Sequence, residues 1–144
     1  MAVAWTCPQC KRRFTRNNQR HACGTGDRSR VLRNRPESLV ALYTELETFL
    51  RTLGPIEVVA RERYVLFRST RIFADLSVMT DSLRLVIHLS RCVQHALFEK
   101  IVLDRRQVSH VVKLRDRREL DEMKPLLREA YLHSMSTAGR VIHD

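Results

Sequence analysis

Arg71-Ile-Phe-Ala-Asp-Leu-Ser-Val-Met79, Thr80-Asp-Ser82 and Leu83-Arg-Leu-Val-Ile-His-Leu-Ser90 form the continuous stretch that decides the fold. In its first part Ile72, Ala74, Leu76 and Val78 recur at every second position; in its last part Leu83, Leu85, Ile87 and Leu89 do the same. Successive strand side chains point to opposite faces, so a period of two puts each set on one face of a sheet. The short polar break between them fits a tight turn, and tight turns join antiparallel neighbours.

Working outward, Ile56–Ala60 and Arg63–Arg68 are two further strands, rich in β-branched and aromatic residues and bounded by Arg61-Glu62 and Ser69-Thr70. On the other side, Arg91–Lys100 reads as a loop or short turn, followed by Ile101–Asp104 and a last strand near Val108–Leu114. The tight connections predict an antiparallel meander of about five strands. Ahead of it, Leu39, Leu42, Tyr43, Leu46, Phe49, Leu50 and Leu53 recur at intervals of three and four, an amphipathic helix begun at Pro36 and ended by Gly54-Pro55. Behind it, Asp116 and Glu119 form a capping-box-like start to a second helix with the stripe Leu120, Met123, Leu127, Ala130, Tyr131 and Met135. Pro125 is expected to kink or split that helix. The fold class is therefore α+β: an antiparallel sheet with an N-terminal and a C-terminal helix packed on one face.

The chain divides into three segments: residues 1–23, a basic linker over 24–36, and the α+β domain over 37–144. At 144 residues and 44% hydrophobic content the chain can bury a real core. It has no run of 18 apolar residues, so no membrane-spanning helix is expected. The opening Met-Ala-Val-Ala-Trp-Thr-Cys7 does not fit a secretory signal, which points to the cytoplasm and reduced thiols.

The charge is uneven. Residues 1–35 carry nine Lys or Arg against Asp27 alone, so +8 of the net +10 lies there. The same segment holds Cys7-Pro-Gln-Cys10, a spacing that supplies two zinc ligands from one turn, with Cys23 and His21 completing Cys-x2-Cys-x10-His-x-Cys. Zinc is the expected cofactor, with Cys7, Cys10, His21 and Cys23 as ligands and Phe14 and Trp5 as candidates for a small apolar plug. His21 is the least regular ligand, because a fourth donor usually follows the third by three to five residues. About twenty residues cannot bury enough surface alone, so folding of this module would be coupled to the metal.

Lys11, Arg12, Arg13, Arg16 and Arg20 would give the module a phosphate-binding surface, and Asn17, Asn18 and Gln19 could reach base edges. Nucleic acid is the expected partner; docking of an acidic protein is the alternative that composition leaves open. A second cluster, Arg105, Arg106, Arg115, Arg117 and Arg118, is diluted by Asp104, Asp116 and Glu119 and reads as a solvated helix entrance.

Several motifs of the larger domain carry a resemblance: Leu42-Tyr43, Leu53-Gly-Pro-Ile-Glu-Val58, Tyr64-Val-Leu-Phe67, His110-Val-Val-Lys-Leu114 and Arg128-Glu-Ala-Tyr131. On these, residues 37–136 resemble a small bacterial family known as domain-of-unknown-function family 5655. Members of that family can follow a nuclease-type domain, and others are similar to this chain in carrying a short Cys/His module in front. The resemblance implies a fold and no activity.

Catalysis has little support. His88, Cys92, His95, Glu99, Lys100, Asp104 and His110 are the reactive candidates, and Cys92 and His95 lie in the least regular stretch. No local signature of a Cys/His nucleophile surrounds them, and no phosphate loop, His-Glu-x-x-His or Asp…Glu-x-Lys nuclease pattern is present. His88 falls opposite Leu85 and Ile87, as a half-exposed structural histidine would. The expectation is a non-catalytic binding protein; a small enzyme or ligand-binding domain using residues 88–110 ranks below it.

Overall fold

The computed structural model describes residues 5–6, 13–14, 31–61 and 63–135. In chain order these hold a short antiparallel pair, β1 (Trp5–Thr6) with β2 (Arg13–Phe14), and then helix α1 (Glu37–Thr52). Strands β3 (Glu57–Ala60), β4 (Tyr64–Arg68), β5 (Ile72–Val78), β6 (Leu83–Leu89), β7 (Phe98–Leu103) and β8 (Val108–Leu114) come next, and helix α2 (Arg117–Ser134) ends the order. The α+β class stands: six antiparallel strands form one open sheet, with both helices on one face.

The central pairing runs Ala74↔Ile87, Leu76↔Leu85 and Val78↔Leu83, so the two alternating apolar sets meet on one face. Val108, His110, Val112 and Leu114 extend that face across β8. α2 lies over β5 and β6, and α1 reaches the β4 side, where Tyr43 stacks on Phe67 with ring centroids 6.5 Å apart. Leu46, Leu50, Leu120, Met123 and Leu127 are wholly buried against the sheet. Removing this apolar area from water at about 25 cal/mol per Å² is the main force holding the layers together. None of the helices among the described residues is long and apolar enough to cross a membrane.

Four details depart from the sequence expectation. Among the described residues this sheet has six strands, and Phe98–Leu103 is one strand rather than the end of a loop through Lys100 followed by Ile101–Asp104. The sheet is not a pure meander: its order is β3-β4-β5-β6-β8-β7, so residues 90–97 carry the chain past the place that β8 fills and β7 becomes an edge. A bulge in β5 lets Ala74 pair with Phe67 and Ile72 with Arg68, leaving Phe73 as the extra residue. Phe73 is consequently 0% exposed and meets Tyr131 edge-on at 5.5 Å, while Ile72 is 38% exposed. Finally, α2 is not split at Pro125. Pro125 and Asp121, one turn before it, are both exposed, so water can take the carbonyl that the missing N–H leaves free.

The start of α2 agrees with its sequence signature. Asp116 Oδ1 accepts from the Glu119 N–H at 2.9 Å, and Glu119 Oε1 reaches back to accept from the Arg115 N–H at 2.8 Å. Where α1 ends, Gly54 has φ of 147° and lies against the Tyr131 ring, so a side chain there would meet both strain and a clash. The Tyr131 hydroxyl donates to the Pro55 carbonyl at 3.2 Å, tying the α1–β3 connection to α2.

Candidate functional site

Alternation that buries one set of strand residues turns the other set to the helix-free face. Asp75 on β5, His88 on β6 and Ser109 on β8 are such residues, and His88 pairs directly with Ser109 in the register. Their side chains form a line across three strands. His88 Nδ1 lies 3.0 Å from Ser109 Oγ, and His88 Nε2 lies 3.1 Å from Asp75 Oδ2. One neutral tautomer satisfies both contacts: Nε2–H donates to the carboxylate, and Nδ1 accepts from the hydroxyl.

Beside this line is a concavity of about 370 Å³, lined among others by Arg71, Asp75, His88, Asp104, Arg106 and Gln107. Two arginines face two aspartates there, so the charge nearly cancels. Arg71 is already engaged, donating to the carbonyls of His133 at 2.6 Å and Ser134 at 3.3 Å and so capping the C-terminal end of α2. Hydroxyl, imidazole and carboxylate in sequence can in principle activate an oxygen nucleophile. Ser109, however, sits inside the sheet with register partners His88 and Val102 on its two sides, so its backbone N–H faces a neighbouring strand rather than a bound substrate. What the arrangement does in the fold is brace β5, β6 and β8.

His110 occupies the other face. It is buried, its Nε2 accepts from the Val93 N–H at 2.9 Å, and its Nδ1 faces the carbonyls of Val108 at 3.1 Å and Ile87 at 3.4 Å. Burial holds its pKa below the ordinary histidine value, against the opposing pull of the two carbonyls. Phe98 packs on its ring at 4.9 Å. His95 Nδ1 accepts from the Leu97 N–H at 3.0 Å and its ring lies 5.6 Å from Phe98. These histidines pin the segment between β6 and β7 onto β8. Cys92 is an exposed free thiol whose sulfur lies 3.6 Å from Gln94 Nε2. Glu99 faces Lys113 at 3.7 Å, and Asp104 opens the β7–β8 turn, its N–H donating to the Gln107 carbonyl at 3.0 Å. Among the described residues no group of three or more His, Cys, Asp or Glu could hold a metal ion.

A different concavity, of about 420 Å³, is lined by Arg33, Arg35 and Arg63 together with Val31, Ser77 and Val78, and by Met79. Among the described residues its charged lining is entirely cationic.

Of the residues singled out in the N-terminal segment, Cys7, Cys10, His21, Cys23, Lys11, Arg12, Arg16 and Arg20 lie outside the described residues. Arg13 belongs to β2, with its backbone opposite Thr6, and Trp5 is opposite Phe14. β1 and β2 thus flank Cys7-Pro-Gln-Cys10 in the sequence. Sequence reasoning misses the Asp75–His88–Ser109 line and the arginine concavity. Asp75 and His88 occupy polar positions of the alternation and are recoverable from it; Ser109 and Arg63 join their partners only through tertiary structure.

No curated protein and no solved structure matches the chain. A family model does match, over residues 29–134, beginning ahead of α1 and ending with α2. The chain belongs to the family described as a domain of unknown function, DUF5655.

Proposed function

We propose that this chain is a zinc-binding, nucleic-acid-associated protein that acts by binding rather than by catalysis, with residues 1–23 as its recognition element. Cys7, Cys10, His21 and Cys23 hold the metal, and Lys11, Arg12, Arg13, Arg16 and Arg20 contact phosphates. The observation that carries the reading is the antiparallel pairing of Trp5–Thr6 with Arg13–Phe14 across Cys7-Pro-Gln-Cys10. Two strands joined across a Cys-x2-Cys segment are the usual way a zinc knuckle presents two thiolates to one ion. The +8 charge of residues 1–35 supports the second half of the reading, since basic residues on a metal-stapled scaffold suit an anionic polymer. Reduced cysteines fit a cytoplasmic setting.

The test uses the full chain. Metal analysis should find one zinc per chain, lost in Cys7→Ser and weakened in His21→Ala. Binding to random duplex oligonucleotides should fall with salt, with a log–log slope of at least about −4 to −5 from roughly five module phosphates. Neutralising Lys11, Arg12 and Arg13 together should reduce that slope by about 2 to 3. A zinc-free chain, or one that ignores oligonucleotides at low salt, sinks the proposal. Salt-sensitive capture of an acidic protein in place of oligonucleotides would assign the basic segment to protein docking.

A further inference from the structure

The arginine concavity extends the proposed function to the folded domain, and its assignment rests on that reading. Val31 is buried in the core and anchors the turn of residues 31–34 in front of α1. Asn34 closes that turn at φ of 59°, a left-handed conformation that Asn tolerates better than most residues. The Arg35 N–H donates to the Leu32 carbonyl at 3.2 Å, which closes the turn locally. Arg63 arrives from a separate segment, just before β4, and Ser77, Val78 and Met79 supply the floor at the end of β5. Three arginines from two parts of the chain therefore line one concavity.

Their partners are incomplete. Arg35 Nη2 donates to the Val78 carbonyl at 3.3 Å, which fixes the orientation of its fork, while Arg35 Nε is buried with no hydrogen-bond partner. Arg33 and Arg63 are exposed and have no ion-pair partner among the described residues. Three other arginines of the domain are paired, Arg91 with Glu129 at 2.8 Å, Arg51 with Glu47 at 3.2 Å and Arg117 with Glu45 at 3.6 Å; what sets Arg33, Arg35 and Arg63 apart is that they line one concavity. Like charges facing one cavity repel each other, and an anion between them removes that cost. Guanidinium matches phosphate in shape and donor spacing, and an orientation already held by the protein leaves less to be ordered on binding. Val31, Val78 and Met79 give the same site an apolar side on which a sugar can rest. Arg28 and Arg30 lie immediately ahead in the chain, so the basic tract of residues 1–35 runs into this site without a break in sequence.

We propose that Arg33, Arg35 and Arg63 form a second phosphate-binding site, on the folded domain, that holds the backbone of the nucleic acid engaged by residues 1–23. The domain is then part of the binding surface rather than a passive carrier of the basic module.

The experiment compares the full-length, zinc-loaded protein with the double variant Arg33→Gln/Arg63→Gln, measuring oligonucleotide affinity across a salt series. Both side chains are exposed, so zinc content and melting temperature should not change. The expected result is a loss of affinity of at least about tenfold and a log–log salt slope shallower by about 2, near 0.9 for each duplex phosphate contact removed. The inference is overturned if affinity and slope are unchanged while neutralising Lys11, Arg12 and Arg13 weakens binding; the functional proposal survives that outcome. If the wild-type chain binds no oligonucleotide at low salt, the functional proposal and this inference fall together. Inorganic pyrophosphate is the control ligand: a variant that loses pyrophosphate binding but keeps the oligonucleotide slope assigns the site to free phosphate and overturns the inference.

Discussion

Neighbouring strands of the sheet carry one histidine to each face, and the two are held in opposite ways. His110 lies under the helices, enclosed by Val93, Phe98 and two backbone carbonyls, and burial favours its neutral form. His88 lies on the helix-free face, with a carboxylate at one ring nitrogen and a hydroxyl at the other. The difference comes from the layer architecture. One face excludes water and makes every polar group there conditional on a well-placed partner; the other tolerates polar groups and links strands through them.

The largest effect that tests this division falls on two adjacent residues of β5. Phe73→Ala should cost about 3–5 kcal/mol, because it empties a wholly buried aromatic site against Tyr131. Ile72→Ala should cost less than about 1 kcal/mol, since its side chain is already 38% exposed. Urea denaturation of the two variants measures both. Equal costs would mean that the bulge does not rotate Phe73 under the helices and that the faces are assigned wrongly at this end of the sheet.

That pair also marks where sequence information runs out. The alternation of Ala74, Leu76 and Val78 against Leu83, Leu85 and Ile87 is readable, because one residue type recurs with the period of the strand. At Ile72-Phe73 both residues are apolar, so periodicity cannot say which is the extra one. Phe98-Glu-Lys-Ile-Val-Leu103 has no clean alternation, as an edge strand does not need one, and its first half therefore reads as loop. The insertion of β8 between β6 and β7 leaves no trace in any local period, and Ser109 meets His88 only because of it. Pro125 suggests a break that α2 does not show, because the effect of a proline depends on which side of the helix faces water. For the N-terminal segment the situation is reversed: residue type and spacing say more than the one described strand pair.

The next effect is the dependence of stability on pH. His110 and His133 both have pKa values lowered from the ordinary 6.5, chiefly by burial. Arg91 lowers the first further and Arg71 the second, and Glu129 opposes this at both sites. As pH falls through about 6.5 the unfolded chain takes up protons that the folded chain refuses, so stability drops; it levels off once the folded-state values are passed. The urea midpoint should therefore decrease from about pH 7.5 to about pH 5.5, and His110→Gln should make that decrease shallower while His133 retains its share. A midpoint that rises on acidification would mean that His110 is charged in the folded protein, contrary to its contacts with Val93, Val108 and Ile87.

The smallest effect belongs to the helix-free face. Removing the imidazole in His88→Ala breaks two hydrogen bonds, but Asp75 and Ser109 are near enough to water to be resolvated, so the cost should be about 1 kcal/mol. Asp75→Asn keeps an acceptor oxygen for Nε2–H and should cost less, and a double-mutant cycle between the two positions should show coupling of about 0.5 kcal/mol or more. Additive costs would mean that the Asp75–His88 contact does not bind β5 to β6 in solution. A cost of several kcal/mol for His88→Ala would place the residue in an environment as demanding as that of His110, and the contrast between the two faces would no longer stand.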